Sequence, residues 1–149
     1  MKPHVVAVDP GVGGGLAILT SETVRLEPMP STLTEILELL RYYKNADAVC
    51  IIEDIPKFAG KFRNESTTAV LFQNYGRVEG IAVSLGYSVV RVQPRAWQAV
   101  LGLGKRGDRS HAEWKRALKN KAQELFPFLS PTLKTADALL MLHHYQGTK

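Results

Sequence analysis

A mixed α/β sheet, three antiparallel strands then two parallel ones, flanked by helices, is the fold class this sequence predicts. Two patterns carry that expectation. Three short apolar runs separated by tight polar turns come first, and the later apolar runs alternate with amphipathic helices. Length sets the scale: 149 residues make about one domain, 1–149. A chain of that size buries roughly 68–70% of the surface exposed by its unfolded form, so it needs no disulfide or structural metal as a staple.

Val5-Val6-Ala7-Val8 is a β-branched run that stops at Asp9-Pro10-Gly11, the pattern of a buried strand ending in a turn. Leu16–Leu19 and Thr23–Leu26 form two further strands, joined by the polar Ser21-Glu22 turn as a meander. Ser31-Thr32 then opens a helix, with Thr32 and Glu35 as a capping box and Leu33, Ile36, Leu37 and Leu40 on one face. Ala48–Ile52 is continuously apolar, as in a central strand covered on both faces, and it too ends in acids, Glu53-Asp54. A long helix from about Ser66 to Leu85 stops at Gly86, and Tyr87–Val92 forms the fifth strand, halted by Pro94. Ser110 and Glu113 cap a helix that reaches Phe126-Pro127, and a last helix covers Thr135 to about His144. There is no repeat, low-complexity tract or linker that would divide domains.

Composition narrows the function classes. One cysteine, Cys50, excludes a disulfide scaffold and a multi-thiolate zinc site; it reads as inert core in a reducing compartment. Met1-Lys2-Pro3-His4 followed by four apolar residues is not the pattern of a signal peptide. No apolar run approaches the ~20 residues of a membrane span, so a cytoplasmic protein is expected. Nineteen basic against fourteen acidic residues give +5, which points to an anionic partner such as nucleic acid.

Several motifs fail on inspection. Gly11–Gly15 lacks the sixth-place glycine of a dinucleotide fingerprint, where Leu16 stands, and a strand follows instead of a helix. Gly104-Lys105 is followed by Arg106 and is no phosphate loop; His143 and His144 are adjacent and point to different sides of a helix. No nucleophile–base pair suggests covalent catalysis.

Three acids remain. Asp9 and Glu53 end strands, and Asp137 sits in the otherwise apolar helix Ala136–Leu142. Each has a plain explanation: an Asx-turn for Asp9, a solvated strand end for Glu53, a dipole-favoured first-turn acid for Asp137. A buried acid is costly unless paired or metal-bound, and adjacent strands ending in acids, with a helix acid packed over them, would bring all three to one edge of the sheet. Three such carboxylates make an oxygen-only site that suits Mg²⁺ or Mn²⁺.

Val-Asp-Pro-Gly at 8–11, Ile-Ile-Glu at 51–53 and Ala-Asp-Ala-Leu-Leu at 136–140, in that order, resemble the RuvC family of Holliday-junction resolvases. The smaller phage-type members match best, through Pro-x-x-Trp at Pro94–Trp97 and Leu-Phe-Pro at Leu125–Pro127. Gly76-Arg77-Val78-Glu79-Gly80 resembles the family's glycine-containing dimer helix. The likeness spans roughly residues 4 to 145. It implies a ribonuclease H-like fold and paired phosphodiester hydrolysis at four-way DNA junctions, in recombination, repair or phage DNA processing in a bacterial or phage-infected cell. It further implies Asp9, Glu53 and Asp137 as the catalytic, metal-binding carboxylates for two Mg²⁺ ions, with Mn²⁺ as substitute, and a homodimer through the helix at about 66–85. Two departures stand out. Lys134 occupies the place of a fourth acid or histidine, and Gln98 replaces the lysine of a Trp-Lys pair, which Lys115, Lys119 or Lys121 could replace.

DNA contacts are expected from Lys57, Lys61, Phe62 and Arg63, with Phe58 between them, from Lys105, Arg106 and Arg109, and from Lys115, Lys119 and Lys134. Basic residues beside aromatics suit phosphate contact and base stacking, although each cluster also reads as a solvated face. Trp97 and Trp114 read as core. Three other readings compete. A related ribonuclease H-like nuclease could act on other branched or single-stranded nucleic acid. A non-catalytic nucleic-acid-binding module would dispense with the acids, and an actin-like ATPase half would need a second domain.

Overall fold

β1 (Val5–Asp9) is buried along its whole length, because neighbours pair with both of its edges and helices cover both of its faces. The computed structural model describes residues 2–55 and 64–149. β2 (Gly15–Leu19) and β3 (Val24–Pro28) extend from β1 as an antiparallel meander. On the other side of β1, β4 (Val49–Glu53) and β5 (Ser88–Val92) pair in parallel, giving the order β3-β2-β1-β4-β5. This is the three-plus-two mixed sheet read from the sequence.

Alternation along the strands divides the core in two. Val6, Val8, Cys50 and Ile52 meet α1 (Leu33–Tyr43) and α2 (Glu65–Ser84). Val5, Ala7, Val49 and Ile51 meet α3 (Pro94–Ala99), α4 (His111–Leu125) and α5 (Ala136–Gly147). Leu139, Leu140, Met141 and Leu142 of α5 are fully buried. Such side chains each contribute about 1.5–3 kcal/mol, so a helix apolar all round belongs in the interior. Burial pushes the Cys50 thiol up to about 12, which makes it the inert core residue expected.

Both capping boxes form: Thr32 with Glu35 opens α1, and Ser110 with Glu113 opens α4. Gly86 ends α2 at φ 82°, beyond the reach of most side chains. One reading needs correction. Pro94 does not only halt β5; it starts α3 near its first position, where a fixed φ and a missing N–H cost nothing. α2 and Phe126 pack on opposite faces of the sheet.

Candidate active site

Val8 and Ile52 are register partners on parallel strands, so the next residues, Asp9 and Glu53, end those strands side by side. Their positions in the alternation place both on the face shared with Ala7 and Ile51, beneath α5. Asp9 Oδ1 accepts the Gly11 N–H at 3.1 Å, so the expected Asx-turn exists as well. That turn is tight: a Cβ on Gly14 would lie 2.1 Å from the Asp9 carbonyl oxygen. From the opposite face Asn74 of α2 donates to the Pro10 carbonyl at 3.3 Å and braces the same turn.

Asp137 arrives through a close approach of backbones. Gly15 is the β2 partner of Asp9, and a Cβ there would stand 2.7 Å from the Lys134 carbonyl oxygen and 3.1 Å from the Thr135 methyl. With no side chain in the way, the segment entering α5 lies directly on the strand beside Asp9, and Asp137 follows in the first helical turn.

The electrostatics show that the three acids share one neighbourhood. Burial raises the Glu53 carboxyl to about 8, and the charges of Asp9 and Asp137 push in the same direction. The Trp97 indole N–H, donating to Glu53 Oε2 at 3.0 Å, and the Lys115 ammonium act against that rise. Lys115 Nζ also donates to Asp137 Oδ2 at 2.7 Å. The other oxygen, Asp137 Oδ1, is buried and has no hydrogen-bond partner among the described residues.

Sequence reasoning missed two roles here. Trp97 is core, as read, but it is also the donor that fixes one Glu53 oxygen. Lys115, expected at DNA or as a replacement for the lysine of the Trp-Lys pair, has its ammonium on Asp137, a partner the sequence does not indicate. Only Pro-x-x-Trp marked Trp97, and Lys115 lies on α4 one turn from buried Leu118.

The other basic residues expected at DNA differ in their settings. Lys105, Arg106 and Lys134 are exposed, and Lys119 is half-buried on α4. Arg109 is turned inward: it donates to the Leu103 carbonyl at 2.7 Å, and its guanidinium lies 5.0 Å from the centre of the Trp114 ring. Lys121 pairs with Glu124. Lys57, Phe58, Lys61, Phe62 and Arg63 lie outside the described residues.

The donor set is oxygen only and includes one buried oxygen without a partner, a chemistry that suits a hard divalent cation. Among the described residues, however, no three His, Cys, Asp or Glu side chains are already gathered as a metal cluster. Mutual repulsion of three carboxylates opposes such gathering, and the Lys115 ammonium supplies the compensating charge at Asp137.

No protein-family model and no curated protein matches this sequence. Solved structures do. A structure of Thermus thermophilus RuvC in complex with a Holliday junction substrate superposes with a TM-score of 0.60 at 18% identity, over 99% of this chain and 96% of that one. A second T. thermophilus RuvC structure superposes with a TM-score of 0.60 at 19% identity, over 97% and 96%. No helix among the described residues is long and apolar enough to cross a membrane. Over its whole length the chain has the ribonuclease H-like fold of RuvC, with Asp9, Glu53 and Asp137 at one edge of its sheet.

Proposed function

We propose that this chain is a metal-dependent endonuclease that resolves four-way DNA junctions by cutting two strands as a pair. The observation that carries the reading is the convergence of far-apart parts of the sequence: the parallel register ends β1 and β4 side by side at Asp9 and Glu53, and the close approach at Gly15 lays the start of α5, with Asp137, on the strand beside them. Three partly buried carboxylates that repel one another do little for stability, whereas they suit a site that takes up cations. The RuvC fold and the junction bound in one similar structure support the same reading.

Asp9, Glu53 and Asp137 would hold Mg²⁺, or Mn²⁺ in its place. Two such ions supply Lewis-acid stabilisation of the attacking and leaving oxygens of the phosphodiester. Asp9, at the end of the middle strand of the sheet, would be a ligand common to both ions. Trp97 keeps one Glu53 oxygen fixed and leaves the other for a ligand. Exposed Lys105, Arg106 and Lys134 would engage the phosphates flanking the branch point, with Lys119 beside them.

A homodimer completes the proposal. Ala69, Val70, Phe72, Gly76, Gly80 and Val83 form an exposed strip along α2, with Val83 60% exposed. Cβ atoms built on Gly76 and Gly80 would meet open space, so a partner helix could approach closely there. A four-way junction presents two equivalent strands, and a two-fold dimer carries one acidic site for each.

The direct test compares four-way junction, splayed arm and linear duplex in a cleavage assay with Mg²⁺. The expected result is paired incision of the junction, with Asp9→Asn binding it but cutting nothing. Full activity of Asp9→Asn would overturn the site, and equal cutting of all three substrates would favour a less selective nuclease.

A further inference from the structure

We infer that Lys115 changes partners when the site is loaded, leaving Asp137 for a DNA phosphate, so that cation binding and junction binding reinforce each other. The inference rests on the nuclease reading above and adds a coupling device to it. Two observations support it. The Lys115 ammonium makes a 2.7 Å ion pair with Asp137 Oδ2, at the carboxylate whose other oxygen is buried with no hydrogen-bond partner among the described residues. The pair is only partly withdrawn from water, with the Lys115 side chain 20% exposed, so the ammonium has an outward route.

The electrostatics of an exchange follow. A lysine ammonium is a compact charge on a four-carbon stem with three donors, able to swing between oxygen acceptors without backbone motion. Lys115 and a divalent cation compete for Asp137, since like charges in so small a volume repel. Displaced from Asp137, Lys115 lies within a side chain's reach of where a phosphate must sit to be hydrolysed beside these carboxylates. It then becomes a phosphate contact that the unloaded protein lacks. Linkage makes the effect reciprocal: junction DNA raises cation affinity by the factor by which the cation raises junction affinity. Lys121, further along α4, pairs instead with Glu124, outside the carboxylate cluster.

The test is salt-dependent binding of a four-way junction assembled from four oligonucleotides. Fluorescence anisotropy would be read from 50 to 200 mM salt, in EDTA or with Ca²⁺ at fixed concentration. Each phosphate contact adds about 0.9 to the log–log slope, or roughly 3.5-fold more affinity lost over that range. In EDTA, wild type and Lys115→Met should share one slope. With Ca²⁺, the wild-type slope should exceed that of Lys115→Met by about 0.9. Asp137→Asn, which releases Lys115 without any cation, should show the steeper slope already in EDTA. Without DNA, Mn²⁺ titrated by electron paramagnetic resonance should bind Lys115→Met more tightly than wild type, because the competing ammonium is gone. A fixed structural ion pair predicts none of these differences. Junction binding by wild type with a slope that exceeds that of Lys115→Met in neither condition overturns the inference alone. Absence of junction binding by wild type overturns the nuclease reading and the inference with it.

Discussion

Replacing Glu53 by Gln removes a charge that burial and two neighbouring carboxylates oppose, and leaves an acceptor for the Trp97 N–H. The Glu53 carboxyl holds its proton up to about pH 8 in the fold and only to about 4.5 when the chain is unfolded. Between those limits the folded protein binds the extra proton, so metal-free stability falls as pH rises; below 4.5 and above about 8 the contribution is flat. At 1.36 kcal/mol per unit, the full rise corresponds to roughly 5 kcal/mol, a ceiling that water entry and relaxation at a rim position reduce to about 2–5. For a chain of this length, each kcal/mol moves Tm by about 2–4 °C. Glu53→Gln in EDTA should therefore melt roughly 5–15 °C above wild type at pH 8.5 and together with it near pH 4.5, by circular dichroism. Saturating Mg²⁺ should narrow the gap at pH 8.5, since the cation neutralises the same charge. Melting curves that stay parallel from pH 4.5 to 8.5 would refute the buried, acid-flanked setting of Glu53.

Other perturbations address the remaining parts of the site. Trp97→Phe keeps a ring in the core but removes the donor to Glu53 Oε2; outer-shell partners of this kind are worth about 10–100-fold. Cleavage rate at saturating Mg²⁺, or Mn²⁺ affinity, should fall by that factor, and unchanged values for both would deny Trp97 a positioning role. Gly80→Leu fills the open space on α2 and should yield a 16.5 kDa species in light scattering. That variant should lose paired cleavage before it loses nicking; a persistent dimer would move the interface elsewhere.

How far the sequence could be read depended on whether a residue's local setting looked incomplete. An acid at the end of an apolar strand, or inside an apolar helix, is a visible local cost, so Asp9, Glu53 and Asp137 were legible despite lying far apart in the chain. The capping boxes, at spacing three, were legible for the same reason, because both partners stand in one window. Pro94 was half-read: a proline after a strand looks like a stop, and only the chain beyond shows that it opens α3.

Trp97 and Lys115 fail that criterion from the other side. A tryptophan here is explained as core, and a lysine on this helix as a phosphate contact, a replacement for the Trp-Lys lysine or a solvated face, so neither points to one particular carboxylate. Their partners stand 44 and 22 residues away, across contacts that only the folded chain creates. Even the helix face offered a partial cue, since Lys115 adjoins the buried Trp114 and Leu118 rather than the outward side of α4. The acids that would do the chemistry announce themselves through their cost. The residues that hold those acids in place are inexpensive in their own right and become visible only as the far end of someone else's hydrogen bond. In this site one of them, Lys115, sets a compensating charge 2.7 Å from the partly buried Asp137 Oδ2. Its removal should therefore be felt first in the empty protein.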